Sequence, residues 1–125
     1  RVEDAICATK AAIKEGIVPG GGIALLNAAS KIKSKSIGES VLLEAIKAPY
    51  RTILENAGIM DIKDPKDQGT GLNVVTGKSV NMIKSGIIDP LLVTKSALRN
   101  AVSVATTILS TDCVINNLRI DESNR

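Results

Sequence analysis

Histidine, tryptophan and phenylalanine are absent from the 125 residues, and Tyr50 is the sole aromatic. Without imidazole there is no Ser/His/Asp or Cys/His nucleophilic arrangement and no His-containing metal centre. Cys7 and Cys113 are the only thiols; two alone cannot complete a zinc site or staple a small secreted fold. One aromatic cannot provide the stacking platform that single-stranded nucleic acid needs. The lysines are scattered, and only Lys31, Lys33 and Lys35 approach a run, interleaved with Ile32, Ser34 and Ser36 as in a solvated linker. A net charge of +3 therefore speaks to solubility, and no nucleic-acid partner is expected. No membrane partner is expected either. The most apolar stretch, 91–109, carries Lys95 and Arg99 in its first half, which excludes a bilayer span. What remains is a chain that is 44% hydrophobic and 23% charged, the balance of one globular domain. Its core has to be built from Ile, Leu, Val and Ala.

Periodicity predicts a mainly helical chain. Val2, Ala5, Ile6, Thr9, Ala12 and Ile13 recur at helical spacing, a stripe expected to be buried, with Asp4, Ala8, Ala11 and Glu15 on the opposite face. Gly16 is placed to stop this helix in a left-handed cap. After Pro19-Gly20-Gly21-Gly22, a second helix is predicted over about 23–34, with Leu26, Ala29 and either Leu25 or Ala28 inward. A third helical segment covers about 39–57 and ends at Gly58. Pro49 inside it must kink the helix or start a new one. Residues 61–70 read as a loop, and 72–80 as a short hairpin, the one clear strand signal. Asp89-Pro90 is expected to cap the strongest helix, 91–110, with Asp89 as N-cap and Pro90 at the first helical position. Its stripe is Val93, Ala97, Ala101, Val104, Ala105 and Ile108, and 113–115 is expected to close the fold as a short strand. The chain opens at Arg1 directly into a helical pattern, as pieces of longer proteins do.

Three features carry chemistry. Gly20-Gly21-Gly22 before a helix can present free N–H groups to an anion. It lacks the Lys-Ser/Thr of a phosphate-binding loop and the spacing of a dinucleotide fingerprint, so a tight interhelix turn is the plainer reading. Asp4 is a carboxylate on a polar helix face beside Arg1 and Glu3, where solvated ion pairing is the plain reading. Asp89 as an N-cap can still offer its second oxygen to a ligand.

The order of motifs adds to this. Arg1-Val2-Glu3-Asp4-Ala5, then Glu15-Gly16-Ile17-Val18-Pro19-Gly20-Gly21-Gly22-Ile23-Ala24-Leu25, resembles the group I chaperonins, the GroEL-like family. Gly71-Leu72-Asn73-Val74-Val75-Thr76-Gly77 is similar to that family's Gly-Tyr-Asn-Ala-Ala-Thr segment. Asn81-Met82-Ile83, Gly86-Ile87-Ile88-Asp89-Pro90, Val93-Thr94-Lys95-Ser96-Ala97-Leu98 and Ala101-Val102-Ser103-Val104-Ala105 follow in the family's order. The resemblance implies a C-terminal fragment of the subunit. Residues 1–14 would be the returning segment of the intermediate domain, and 15–125 the C-terminal half of the ATP-binding equatorial domain, a multihelical fold with a small β-hairpin and a short C-terminal strand.

It also implies an ATP-dependent protein-folding chaperonin: a homo-oligomeric ring that works with a co-chaperonin on unfolded client proteins, in the mitochondrial matrix or another endosymbiont-derived organelle, or in a bacterial cytoplasm. By the same resemblance Asp4 is the catalytic aspartate that orients the attacking water. Gly20 and Gly21 lie against the nucleotide's sugar, Asn73, Val74 and Val75 read the adenine, Ile87 packs on the base, and Asp89 accepts from the ribose hydroxyls. ATP and Mg²⁺ are the implied cofactors. The Mg²⁺ ligands are expected mainly from the family's N-terminal half, so no metal ligand is assigned here and the fragment alone is expected to be inactive. Val74 and Val75 stand where the family has two alanines, and Gly77 where an acidic residue is usual. The other readings open to such a sequence are a helical interaction module and an ATP-independent holdase.

Overall fold

The computed structural model describes residues 1–60, 63–65, 67–113 and 115. The chain runs α1 (Val2–Glu15), β1 (Ile17–Pro19), α2 (Ile23–Lys31), α3 (Ile37–Ala45), α4 (Ala48–Asn56), β2 (Thr70–Asn73), β3 (Lys78–Asn81), β4 (Ile88–Pro90) and α5 (Leu91–Leu109). It is mainly α, as the periodicity requires.

Local punctuation explains most boundaries. Ser36 caps α3, its Oγ accepting from the Glu39 N–H at 3.2 Å, while the Glu39 carboxylate accepts from the Lys35 N–H. The predicted single segment over 39–57 is two helices, and Pro49 falls in the first turn of α4, where a missing N–H costs nothing. α4 closes at Gly58, whose N–H reaches the Glu55 carbonyl at 2.9 Å, with Ile59 bonding back to Leu54. The expected hairpin is present: β2 and β3 pair antiparallel from Thr70–Asn81 to Asn73–Lys78.

The second sheet was not foreseen. β1 pairs antiparallel with β4, with Ile17 opposite Pro90, Val18 opposite Asp89 and Pro19 opposite Ile88. Three residues are too few to show a period-2 pattern. This pairing revises two caps. Gly16 takes φ +85°, ψ −170°, which is not the left-handed helical cap expected, because the chain must leave α1 directly into a strand. Pro90 occupies the N-cap position of α5 and Asp89 makes no capping bond, because the Asp89 backbone belongs to the ladder. The closing strand expected at 113–115 includes Val114, which lies outside the described residues; Cys113 and Ile115 join no ladder among them.

The core is small: Ile23, Leu26, Tyr50, Leu54 and Met82, flanked by Ile59, Leu72, Val80 and Ile87. On α2, Leu26 and Ala29 face inward as predicted, together with Ile23; Leu25 is half-buried and Ala28 exposed. On α1 the expectation fails for the large residues. Val2, Ile6 and Ile13 are exposed, and the buried position is Ala11, with Ala8, Ala12 and Glu15 half-buried in the same row. Small residues let α1 lie close to α5, whereas the larger apolar stripe meets no cover among the described residues. Likewise Val93, Val104 and Ile108 of α5 are exposed. The chain exposes 10002 Å², against roughly 6,400 Å² for a compact monomer of its mass.

Candidate functional site

The triple glycine is explained first by what it touches. Gly20 donates its N–H to the Ile87 carbonyl at 2.9 Å, extending the β1–β4 pairing by one residue. A Cβ on Gly20 would sit 3.1 Å from the Ile87 carbonyl carbon and the Ile88 nitrogen. At Gly22, φ is +78° and a Cβ would lie 2.6 Å from the Tyr50 backbone nitrogen. Backbone thus meets backbone at both positions: at Gly22 no side chain fits, and at Gly20 one would press on the Ile87–Ile88 backbone. Gly21 rests against the Met82 methyl. Met82 is buried, its N–H bonds the Gly69 carbonyl, and its own carbonyl accepts from the Ile87 N–H. It therefore ties the base of the hairpin to the glycine turn. Gly22 was read only as part of the glycine turn, and Met82, though in a quoted motif, was assigned no role. Their contacts join segments remote in sequence, so no local signal could have found them.

This arrangement brings Gly20, Gly21, Ile87 and Asp89 to one place. Gly21 and Asp89 share the wall of an open cavity of about 650 Å³. Pro19, Leu25, Leu42, Ile46 and the α5 row Val93, Ala97, Ala101 and Ala105 line much of the remainder. The wall is apolar, and Asp89 is its one carboxylate. Burial pushes the Asp89 carboxyl above the ordinary range. A half-buried carboxylate at the rim of an apolar cavity can accept hydrogen bonds from sugar hydroxyls.

Asn73, Val74 and Val75 form the start of the hairpin tip and do not line that cavity. Asn73 Oδ1 accepts from the Val75 N–H at 3.0 Å and the Thr76 N–H at 3.3 Å, and its carbonyl accepts from the Gly77 N–H at 2.8 Å. Val74 is 41% and Val75 90% exposed. The tip is held by Asn73 and open to solvent.

Asp4 is exposed near the start of α1, twelve residues or about 18 Å along the helix from Gly16. It is not in the cavity. By helical spacing it heads the row of Ala8, Ala11 and Glu15, so it shares the seam face and does not oppose it. The far end of α1 is fastened: the Leu91 N–H bonds the Gly16 carbonyl at 3.1 Å, and Lys95 pairs with Glu15 at 2.7 Å. For Mg²⁺ the donor set does not fit. Among the described residues no three His, Cys, Asp or Glu side chains cluster, and Asp4 and Asp89 stand apart. Both cysteines are exposed and free. No described helix is long and apolar enough to cross a membrane.

Comparison with known proteins supports the chaperonin resemblance at the level of the whole family. The family model of the TCP-1/cpn60 chaperonins matches residues 1–119. Among solved structures, a group III chaperonin in the open state aligns at 31% identity with a TM-score of 0.67, over 84% of this chain and 25% of that one. The chain thus spans about a quarter of that subunit's length. Motifs, helical fold and family match converge, and this chain belongs to the TCP-1/cpn60 chaperonin family.

Proposed function

We propose that the chain is the C-terminal part of an ATP-driven chaperonin subunit of the group I type, with 1–14 from the intermediate domain and the remainder from the equatorial domain. The observation that carries this reading is the β1–β4 pairing. It supports the reading because Gly20 bonds to Ile87 through the backbone, while the neighbouring Gly21 and Asp89 share the cavity wall. In this reading Asp89 receives the ribose hydroxyls, Ile87 packs on the base, the glycine turn lets the sugar approach, and the hairpin tip with Asn73, Val74 and Val75 reads the adenine edge. Asp4 comes to the γ-phosphate side only when α1 moves, so water would be oriented in the closed state alone. Mg²⁺ would neutralise charge at the phosphates, with its protein ligands expected mainly from the subunit's N-terminal half. A ring of subunits, a co-chaperonin, unfolded clients and an endosymbiont-derived or bacterial compartment belong to the same reading.

The test is Asp4→Ala in the full-length subunit. ATP hydrolysis should fall about 100-fold or more, in line with the loss of a positioned acid–base group, while ATP binding is retained. Unchanged turnover would reduce Asp4 to a solvated surface carboxylate. The open apolar cavity favours a second reading, an ATP-independent holdase. Suppression of client aggregation by the 125-residue chain, unaffected by ATP, would support it.

A further inference from the structure

Three glycines in a row are loose by themselves, and each needs something outside the turn to hold it. Gly20 is held by its bond to the Ile87 carbonyl, and Gly22 lies against the Tyr50 backbone. Gly21 has neither. Among the described residues no backbone hydrogen bond reaches it. Beyond its chain neighbours, the one atom within 4 Å of where a Gly21 Cβ would stand is the Met82 methyl carbon, at 2.9 Å. The Met82 side chain arrives there past Gly71 of β2, where a Cβ would lie 3.0 Å from its sulfur. Its backbone is anchored on both sides: the N–H donates to the Gly69 carbonyl and the carbonyl accepts from the Ile87 N–H, each at 2.9 Å. Met82 is thus a fixed post at the foot of the hairpin. Its side chain reaches across to Gly21, which borders the cavity with Asp89.

Resting on the nucleotide-site reading above, we infer that Met82 is a positioning residue for the nucleotide's sugar. Its terminal methyl props Gly21, so the turn is already in place when a nucleotide arrives and binding does not have to order it. Met82 itself need touch no part of the nucleotide. Methionine suits the task, being slender enough to pass a glycine backbone and long enough to touch the next segment. Leucine has a similar volume but ends one atom short, so it fills the core and leaves Gly21 without its prop.

The experiment compares the full-length subunit carrying Met82, Met82→Leu or Met82→Ala by equilibrium ATP binding, thermal unfolding, and amide exchange without nucleotide. In the leucine variant the melting temperature should stay close to wild type. ATP affinity should fall about ten-fold, the scale of re-ordering one backbone residue. Exchange should quicken at Gly20 and Ile23, the hydrogen-bonded amides on either side of Gly21, and stay slow in the rest of α2 and in α4. Alanine should show the same losses with a lower melting temperature, because it also leaves a cavity in the core. A leucine variant that binds ATP as wild type does, or whose turn exchanges no faster, overturns the prop. Faster exchange spread through α2 and α4 overturns it too, and reduces Met82 to core filling. If the wild-type subunit binds no ATP, the nucleotide-site reading falls before any variant is made, while exchange at the turn still decides whether the methyl holds Gly21.

Discussion

At Gly22, the N-cap of α2, space and conformation act together. The residue has φ +78°, and a methyl there would sit 2.6 Å from the Tyr50 nitrogen and 2.8 Å from its Cα. Both obstructing atoms are backbone, so a side-chain rotation cannot relieve the clash. Gly22→Ala should therefore cost at least about 3 kcal/mol, combining overpacking with positive-φ strain, a large part of a small domain's stability. Urea unfolding measures it; a loss under about 1 kcal/mol would mean α4 can withdraw from the glycine turn. Asp89 poses a different conflict. Its carboxyl is raised by burial, so the folded chain holds the proton more tightly than the unfolded chain does. Stability then falls as pH rises through the folded-state value, because the charge must be carried in a desolvated place. Asp89→Asn should unfold at a higher temperature than wild type at neutral pH, and the gap should close as pH drops below the usual carboxylate range. The same substitution should weaken nucleotide binding by the full-length subunit. Such a site trades stability for an acceptor at the cavity rim. A lower melting temperature for the variant at neutral pH would contradict this account of Asp89.

Among the elements, α3 depends most on its own ends. None of its residues is buried, so neighbours contribute little. Its start is held by Ser36 and Glu39, and Ser40 Oγ adds a bond to Ser34 Oγ at 2.9 Å. Ser36→Ala should remove about 1 kcal/mol from that helix, read as faster amide exchange confined to 37–45. Exchange unchanged there would show that tertiary contacts, not the cap, hold α3. Its far end is tied to α4 by Glu44, which pairs with Lys47 and Arg51, both at 2.7 Å. Those two cations hold the Glu44 carboxyl below its ordinary range. Much at this scale was legible beforehand. Pro49 and Gly58 marked the bounds of α4, and the 72–80 pattern marked the hairpin, whereas Ser36, read as part of a linker, proves to be the cap of α3. The burial of α1 was not legible. Val2, Ile6 and Ile13 form the more hydrophobic row, yet the row at the seam is Ala8, Ala11, Ala12 and Glu15, since α5 accepts only small residues at that distance.

For the whole molecule, the surface is unfinished. Leu25, Leu42, Ile46, Ile53, Val93, Leu98 and Val102 all border one open cavity, and the exposed area far exceeds that of a compact monomer. The 125-residue chain alone should bind a hydrophobic dye strongly and associate as its concentration rises, by sedimentation. On the proposed reading it should turn over no ATP, since it would hold only one side of the nucleotide site; among its described residues no group of acidic side chains could hold a metal. A monodisperse, dye-silent monomer would refute the first expectation, and steady turnover the second.

Composition excluded imidazole chemistry, zinc sites and stacking-based nucleic-acid binding before any fold was known, and helix periods with Gly and Pro punctuation located the elements. These are properties of residues and their near neighbours, written in the local order of the chain. The tertiary structure decided the β1–β4 ladder, the displacement of Asp89 from its expected cap and the seam face of α1. Most of these depend on segments brought together from about seventy residues apart. A ladder three residues long has too few side chains to announce itself, and which face of a helix is buried is settled by the element packed against it.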